Sequence, residues 1–215
     1  LVELGILAAA TGDLATARER LEAVRAGTMP EGAAMARWAL LLDRCGEPEA
    51  AEHAVRAALG VDPKNARALG HLGSLLDRRG ARTEAERALT RAVQLAPDDA
   101  ELAFDLGMVD AVAGRCERAA ARLESALEHL PEALEPRYNL GVVYAELGRL
   151  DAALAAFERV LASRPSHPEA LYAAGRCHLR KGQHERAVRC FEALRRQTGP
   201  APRLLYALGV CYNAM

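Results

Sequence analysis

The sequence is poor in aromatic residues and in lysine, and it has no surplus of charge of either sign. Phenylalanine, tryptophan and tyrosine make up 4% of its 215 residues, and the formal net charge is -1. Lys64 and Lys181 are the only lysines, so arginine carries nearly all of the positive charge, as is typical of a GC-rich bacterial coding sequence. Without a basic tail or stripe, the composition argues against nucleic acid as a partner.

Long apolar runs and paired cysteines are also missing. No stretch approaches the roughly 20 apolar residues of a membrane-spanning helix, so we expect no insertion into a membrane. The number of cysteines is odd, and none stands in a CxxC pair. We therefore expect free thiols and a reducing compartment, the cytoplasm. The five cysteines are Cys45, Cys116, Cys177, Cys190 and Cys211.

The dominant feature of the sequence is a period of 34 residues, which four independent series of small residues and prolines follow. Their members are Gly73, Gly107, Gly141, Gly175 and Gly209; Gly12, Gly46, Gly80, Gly114, Gly148 and Gly182; Ala17, Ala51, Ala85, Ala119, Ala153 and Ala187; and Pro63, Pro97, Pro131 and Pro165. A period of this length indicates stacked copies of one structural unit.

Residues 134–167 show what one unit contains. Apolar side chains follow helical spacing up to about Glu146 and again from Leu150 onwards. Gly148 is suited to end the first helix because glycine readily adopts positive φ, and Pro165 stops the second. One such hairpin cannot bury its apolar face alone, whereas a stack can. The sequence therefore predicts an all-α solenoid of antiparallel helix pairs.

This pattern resembles the tetratricopeptide repeat, with Leu140, Gly141, Tyr144, Ala153 and Phe157 in the family's slots. The resemblance implies a right-handed superhelix whose first helices line a concave groove. It divides a single solenoid over residues 1–215 into units at about 1–31, 32–65, 66–99, 100–133, 134–167 and 168–201, followed by the first helix of a seventh at 202–215. Because both ends fall inside the pattern, we expect a fragment of a longer chain.

The resemblance also implies where a partner binds, namely at the second, fifth, ninth, twelfth and thirteenth residues of each unit. In the C-terminal half the fifth residue is always aromatic, and polar side chains stand nearby. These candidates for partner binding are Phe104, Tyr138, Asn139, Tyr172, Arg176, Arg180 and Tyr206. Tyrosines give large contact area and arginines hold carboxylates. The alternative is that the tyrosines serve repeat packing and the arginines are solvated. Polar residues at the N-terminal side are His71, Asp77 and Arg78.

Two known functions of the family do not fit the residues. Of the two-carboxylate clamp that grips chaperone tails, only the asparagine is present, as Asn139. The asparagine ladder of O-linked N-acetylglucosamine transferase is absent from the sixth slot, where Arg37, His71 and Asp105 stand instead.

Catalytic and metal sites are not expected. The sequence has no G-x-S-x-G, P-loop or H-E-x-x-H motif, so we predict no catalytic residue, no cofactor and no metal. The spacing of Cys177, His178, His184 and Cys190 is not a usual zinc pattern. Asp110 and His178 occupy equivalent positions, but no nucleophile accompanies them. Because a buried carboxylate needs partners, we expect Asp110 to accept a hydrogen bond from Tyr144 or from an arginine such as Arg115.

The sequence therefore predicts a scaffold or adaptor that binds a protein or peptide in its groove. Two alternatives stay open. The chain is the non-catalytic arm of a larger transferase or secretion-linked enzyme, or it self-assembles into a homo-oligomer through open repeat ends.

Overall fold

The computed structural model describes residues 2–25, 27 and 33–215, which form thirteen α-helices and no strand within these ranges. The helices are α1 (Val2–Ala10), α2 (Leu14–Arg25), α3 (Ala33–Arg44), α4 (Pro48–Val61), α5 (Ala66–Arg78), α6 (Arg82–Leu95), α7 (Ala100–Val112), α8 (Cys116–His129), α9 (Leu134–Glu146), α10 (Leu150–Ser163), α11 (Pro168–Arg180), α12 (His184–Thr198) and α13 (Pro202–Asn213). None of these described helices has the length and apolarity to cross a membrane.

The described helices fall into two compact units, one ending at Val109 and the other beginning at Asp110. The prediction that residues 1–215 form a single solenoid therefore stays a prediction. The predicted boundary between the first two repeats, at residues 31 and 32, lies outside the described residues.

Tight turns join the two helices of each pair, as the turn after α9 illustrates. Gly148 has a φ of 75°, which only glycine adopts without strain. The N–H of Arg149 then donates to the carbonyl of Tyr144 at 2.9 Å. This bond satisfies a carbonyl at the end of the helix and sends the chain back along α9 as α10.

Small residues let the paired helices approach each other. A Cβ atom at Gly141 would lie 2.6 Å from the ring of Phe157, and one at Gly175 would lie 2.5 Å from the ring of Phe191. Both phenylalanines are completely buried. Gly141 and Gly175 thus make room on the first helices for large side chains of the second helices.

The starts of the first helices are capped unequally. The Asn65 side chain accepts from the Ala68 N–H at 3.0 Å, and His167 accepts from the Ala170 N–H at 3.3 Å. Ala133 stands at the same point before α9, with an extended φ of -68° and ψ of 118° but no side-chain acceptor. The first N–H groups of α9 therefore lack the side-chain cap that α5 and α11 have.

Ala133→Asn is expected to raise the free energy of unfolding by about 1 kcal/mol, because asparagine supplies the missing acceptor. Urea denaturation followed by circular dichroism measures the gain. Ala133→Gln is the control, since its amide is one methylene longer and is not a favoured cap. An equal effect of the two substitutions would contradict the capping explanation.

Candidate functional site

A cleft of about 390 Å³ lies between the first helices α9 and α11 of the second compact unit. One face of α9 and one face of α11 line the cleft, and Phe157 of the second helix α10 lies beneath it. The residues that line it are Tyr138, Val142, Ala145, Glu146, Phe157, Pro168, Glu169, Tyr172, Ala173, Arg176, Cys177 and Arg180.

Two tyrosines in the cleft rest on buried phenylalanines of the second helices. The ring of Tyr138 lies 5.9 Å from that of Phe157, tilted by 48°, and the ring of Tyr172 lies 5.8 Å from that of Phe191, tilted by 53°. Tyr138 also stacks on His167 at 5.4 Å. These contacts hold both half-buried rings in place, so they offer preorganised aromatic surface to a ligand.

Charged side chains stand at both ends of the cleft. At the end nearer the C-termini of the helices, Nη1 of Arg180 donates to the carbonyl of Ala145 at 2.6 Å. This bond places a cation over the negative end of the α9 dipole. At the opposite end, Glu169 lies 3.2 Å from Nδ1 of His167. Arg176 stands between these ends and is exposed to solvent.

Burial raises the pKa of two side chains that line the cleft, Tyr138 and Cys177. Burial, helped by the nearby charge of Glu169, raises the pKa of Tyr138 above its usual value. Burial also raises the pKa of the Cys177 thiol, while the guanidinium groups of Arg180 and Arg176 oppose the rise. A buried thiol with a raised pKa is a poor nucleophile.

The structure brings together four of the seven predicted partner-binding residues. Tyr138, Tyr172, Arg176 and Arg180 all line the cleft. The remaining three lie elsewhere, each in different surroundings.

Phe104 is half-buried and belongs to the other compact unit. Asn139 directs its amide to its own helix, where Nδ2 donates to the carbonyl of Glu135 at 3.1 Å. Tyr206, on α13, is 77% exposed and does not line the cleft. The aromatic row therefore includes one pair that shares a cleft, with two further members outside it.

Sequence reasoning missed several lining residues. Val142 and Glu146 are the ninth and thirteenth residues of their predicted repeat, and Glu169 is the second of the next. The resemblance implies contacts at these repeat positions, so these three residues could have been predicted from the sequence. Phe157 was assigned to the core only, and its role beneath Tyr138 depends on the approach of α10 to α9.

Asp110 is the most deeply buried charged residue among those described, with no exposed surface. It accepts hydrogen bonds from Nε of Arg115 at 2.6 Å and from Nε of Arg122 at 2.8 Å, and Nη2 of Arg118 lies 3.5 Å away. The expected hydrogen bond from an arginine is confirmed. Three guanidinium groups thus surround the one buried carboxylate.

Tyr144 does not donate to Asp110, the partner that the sequence suggested for it. Its hydroxyl donates to Glu124 at 2.6 Å, and burial together with this hydrogen bond raises its pKa to about 12. His178 is buried, and its Nδ1 forms a hydrogen bond with Oε1 of Gln183 at 2.7 Å. Asp110 thus binds arginines, and His178 binds Gln183.

Potential metal ligands are scattered through the described part of the chain, where no three histidine, cysteine or acidic side chains are grouped. Cys177 and Cys211 are 2% and 0% exposed, as expected for small apolar core residues. His184, by contrast, lies at the start of α12.

In the first compact unit, polar pairs connect successive first helices. Arg37 pairs with Glu3 at 2.6 Å, and Nε2 of His71 lies 3.3 Å from Asp43, which also pairs with Arg78. Although burial acts in the opposite direction, the hydrogen bonds from His71 and Arg78 lower the pKa of Asp43. Of the polar residues predicted at the N-terminal side, His71 and Arg78 thus both bind Asp43.

Comparison with known proteins gives the family. The sequence profile described as tetratricopeptide repeat matches residues 36–100, 104–168, 138–189 and 172–214. These ranges cover well over half of the chain. No curated protein sequence matches it.

Solved structures with the same fold include MamA, YrrB and PilW. MamA is 26% identical, with 73% of this chain and 91% of MamA covered and a TM-score of 0.67. YrrB, described as a TPR protein with an unusual peptide-binding site, is 25% identical, with 86% and 95% covered and a TM-score of 0.74. PilW, a type IV pilus biogenesis factor, is 22% identical, with 84% and 89% covered and a TM-score of 0.72.

Helix pairs with a 34-residue period, glycine turns and small residues facing large ones thus agree with the profile match. The chain belongs to the tetratricopeptide repeat family.

Proposed function

We propose that this chain is a protein-interaction scaffold and that the cleft between α9 and α11 binds a peptide segment of its partner. The observation that carries the proposal is the pair Tyr138 and Tyr172, fixed on buried phenylalanines and open to solvent beside Arg176. Rigid aromatic side chains in a concave site bind a ligand at low entropic cost.

The comparisons support this proposal. The tetratricopeptide fold is typically a non-catalytic interaction scaffold. YrrB, which resembles this chain over most of its length, is described by its peptide-binding site. We therefore propose a protein or peptide partner, with no cofactor, no metal and no nucleic acid. We propose further contacts at Phe104, Asn139 and Tyr206 for parts of the partner other than the peptide segment that the cleft binds.

We further propose that the protein is bacterial and cytoplasmic. The arginine-rich, lysine-poor composition supports the first part. The five free cysteines, of which Cys45, Cys177 and Cys211 are buried, support the second because they suit a reducing compartment.

Replacing both cleft tyrosines, as Tyr138→Ala with Tyr172→Ala, is expected to weaken peptide binding by about thirtyfold or more. Loss of an aromatic hot spot typically costs at least about 2 kcal/mol, which is roughly a factor of 30. Peptides are first selected on the unmodified chain from a random phage library. Their dissociation constants are then measured for both proteins by fluorescence anisotropy.

Tyr206→Ala is the matched control, because Tyr206 holds the same repeat position outside the cleft. It should leave the affinity unchanged, and circular dichroism should show equal helical content in all three proteins. Sedimentation at several concentrations separates peptide binding from self-assembly, for which the exposed Leu205 and Tyr206 of α13 are the candidates. Selected peptides that bind the double variant as tightly as the unmodified chain would rule out the cleft.

A further inference from the structure

We infer that the cleft selects an acidic peptide, one with an apolar anchor residue and a carboxylate two to four residues away from it. The inference rests on the proposed function, since it specifies the ligand of the same cleft. It is carried by the positions of the two arginines relative to the two tyrosines.

The anchor position is the space beside Tyr138 and Tyr172. Its lining is apolar apart from the rim, with Val142 and Ala173 on the helices and Phe157 beneath. An aliphatic or aromatic side chain that enters here exchanges water for ring and methyl contacts. A charged side chain would lose hydration without finding a partner among these groups.

The arginines follow the tyrosine along α11 at intervals of four residues, as Tyr172, Arg176 and Arg180. Since a helix rises about 1.5 Å per residue, the guanidinium groups originate roughly 6 and 12 Å beyond Tyr172. An extended peptide advances about 3.3 Å per residue. A peptide lying along the helix therefore brings its second and fourth residues from the anchor to the two arginines.

The charges at this end of the cleft favour an acid. Among the described residues, Arg176 has no hydrogen bond and no carboxylate within ion-pair distance. Arg180 is bound to the carbonyl of Ala145, which is neutral, so its charge is not cancelled by an ion pair. Glu146 is the one acid lining this end, and it leaves an excess of positive charge. Glu169 lies at the opposite end beside His167.

A peptide carboxylate at Arg176 would gain charge-assisted hydrogen bonds from a guanidinium that gives up no other hydrogen bond to make them. A lysine at the same position would meet like charge in a partly desolvated cleft, which penalises wrong partners strongly. The cleft thus discriminates by charge at one end and by hydrophobicity at the other.

Three synthetic peptide libraries test the inference. Each has a central phenylalanine and carries either glutamate, glutamine or lysine at the second and fourth positions on both sides of it. Fluorescence anisotropy at low salt should show the glutamate library binding the unmodified chain at least about tenfold more tightly than the lysine library, with the difference shrinking as salt is added.

Arg176→Glu should abolish or reverse this preference, because the side chain has no structural partner to lose. Arg203→Glu, on α13 and outside the cleft, is the control of equal charge change and should retain the preference. Equal binding of the three libraries, or an unaltered preference in Arg176→Glu, would overturn the inference.

The outcomes also separate the inference from the proposed function. If charge has no effect but Tyr138→Ala with Tyr172→Ala still removes binding, the cleft binds peptides and only the acidic specificity is wrong. If the glutamate library binds the tyrosine variant unchanged, or if no library binds at all, the inference fails. The phage-selected peptides then decide the proposed function independently.

Discussion

Ala153→Glu is expected to lower the free energy of unfolding by about 4 kcal/mol, enough to unfold the second compact unit under mild conditions. Ala153 has no exposed surface and lies in a cluster with Leu154, Phe157 and Ala174. A glutamate there adds volume to a filled contact and brings a carboxylate into a buried apolar cluster. Urea denaturation followed by circular dichroism measures the loss.

Ala155→Glu is the matched control on the same helix. Ala155 is exposed, so the same substitution should change the stability by no more than about 0.5 kcal/mol. Comparable losses in the two variants would show that the charge acts on the helix as such. The close contact between α9 and α10 would then not be the origin of the effect.

The helices and their pairing could be predicted because each repeating residue has a local physical role. Gly148 is needed for a positive φ, and Gly141 is needed because the Phe157 ring occupies the place of a side chain. Both requirements act over a few residues and return every 34 residues. The secondary structure and the contacts within each pair could therefore be predicted from the 34-residue period.

Contacts between successive pairs were harder to predict, since they depend on how neighbouring helices are inclined. The hydroxyl of Tyr144 reaches Glu124, twenty residues earlier, and that of Tyr212 lies 3.4 Å from Glu192, again twenty residues earlier. The recurrence of the pair shows that the period also governs these bonds. Their spacing becomes meaningful only once the packing of the second helix against the next first helix is known.

The cleft brings together some of the predicted residues, and the others lie outside it for specific reasons. Asn139 stands next to Tyr138 in the sequence, but its short amide bonds to the carbonyl four residues back, as polar side chains in helices often do. Tyr206 holds the same repeat position as Tyr138 and Tyr172 but lies outside the cleft. Equivalent positions in a repeat thus differ in their surroundings according to which helices flank them.

Asp110→Asn is expected to lower the free energy of unfolding by about 3 kcal/mol. Asp110 has no exposed surface, whereas Arg115 and Arg122 are 33% and 25% exposed. An amide keeps the shape but removes the negative charge, which leaves neighbouring cations to repel one another in a partly buried site. Asp151→Asn is the control, because the Asp151 side chain is 87% exposed and its pairing with Lys181 should contribute about 0.5 kcal/mol or less.

A triple variant distinguishes an uncompensated charge from a simple loss of packing. Asp110→Leu combined with Arg115→Met and Arg122→Met removes the carboxylate together with the two guanidinium groups that donate to it, and keeps most of the volume. Because desolvation opposes the attraction in a buried ion cluster, this variant should recover to within about 1 kcal/mol of the unmodified chain. Recovery would mean that Asp110 is required because the arginines are there. If the triple variant is instead less stable than Asp110→Asn, the cluster contributes net stability, and its hydrogen bonds outweigh the cost of burying the carboxylate.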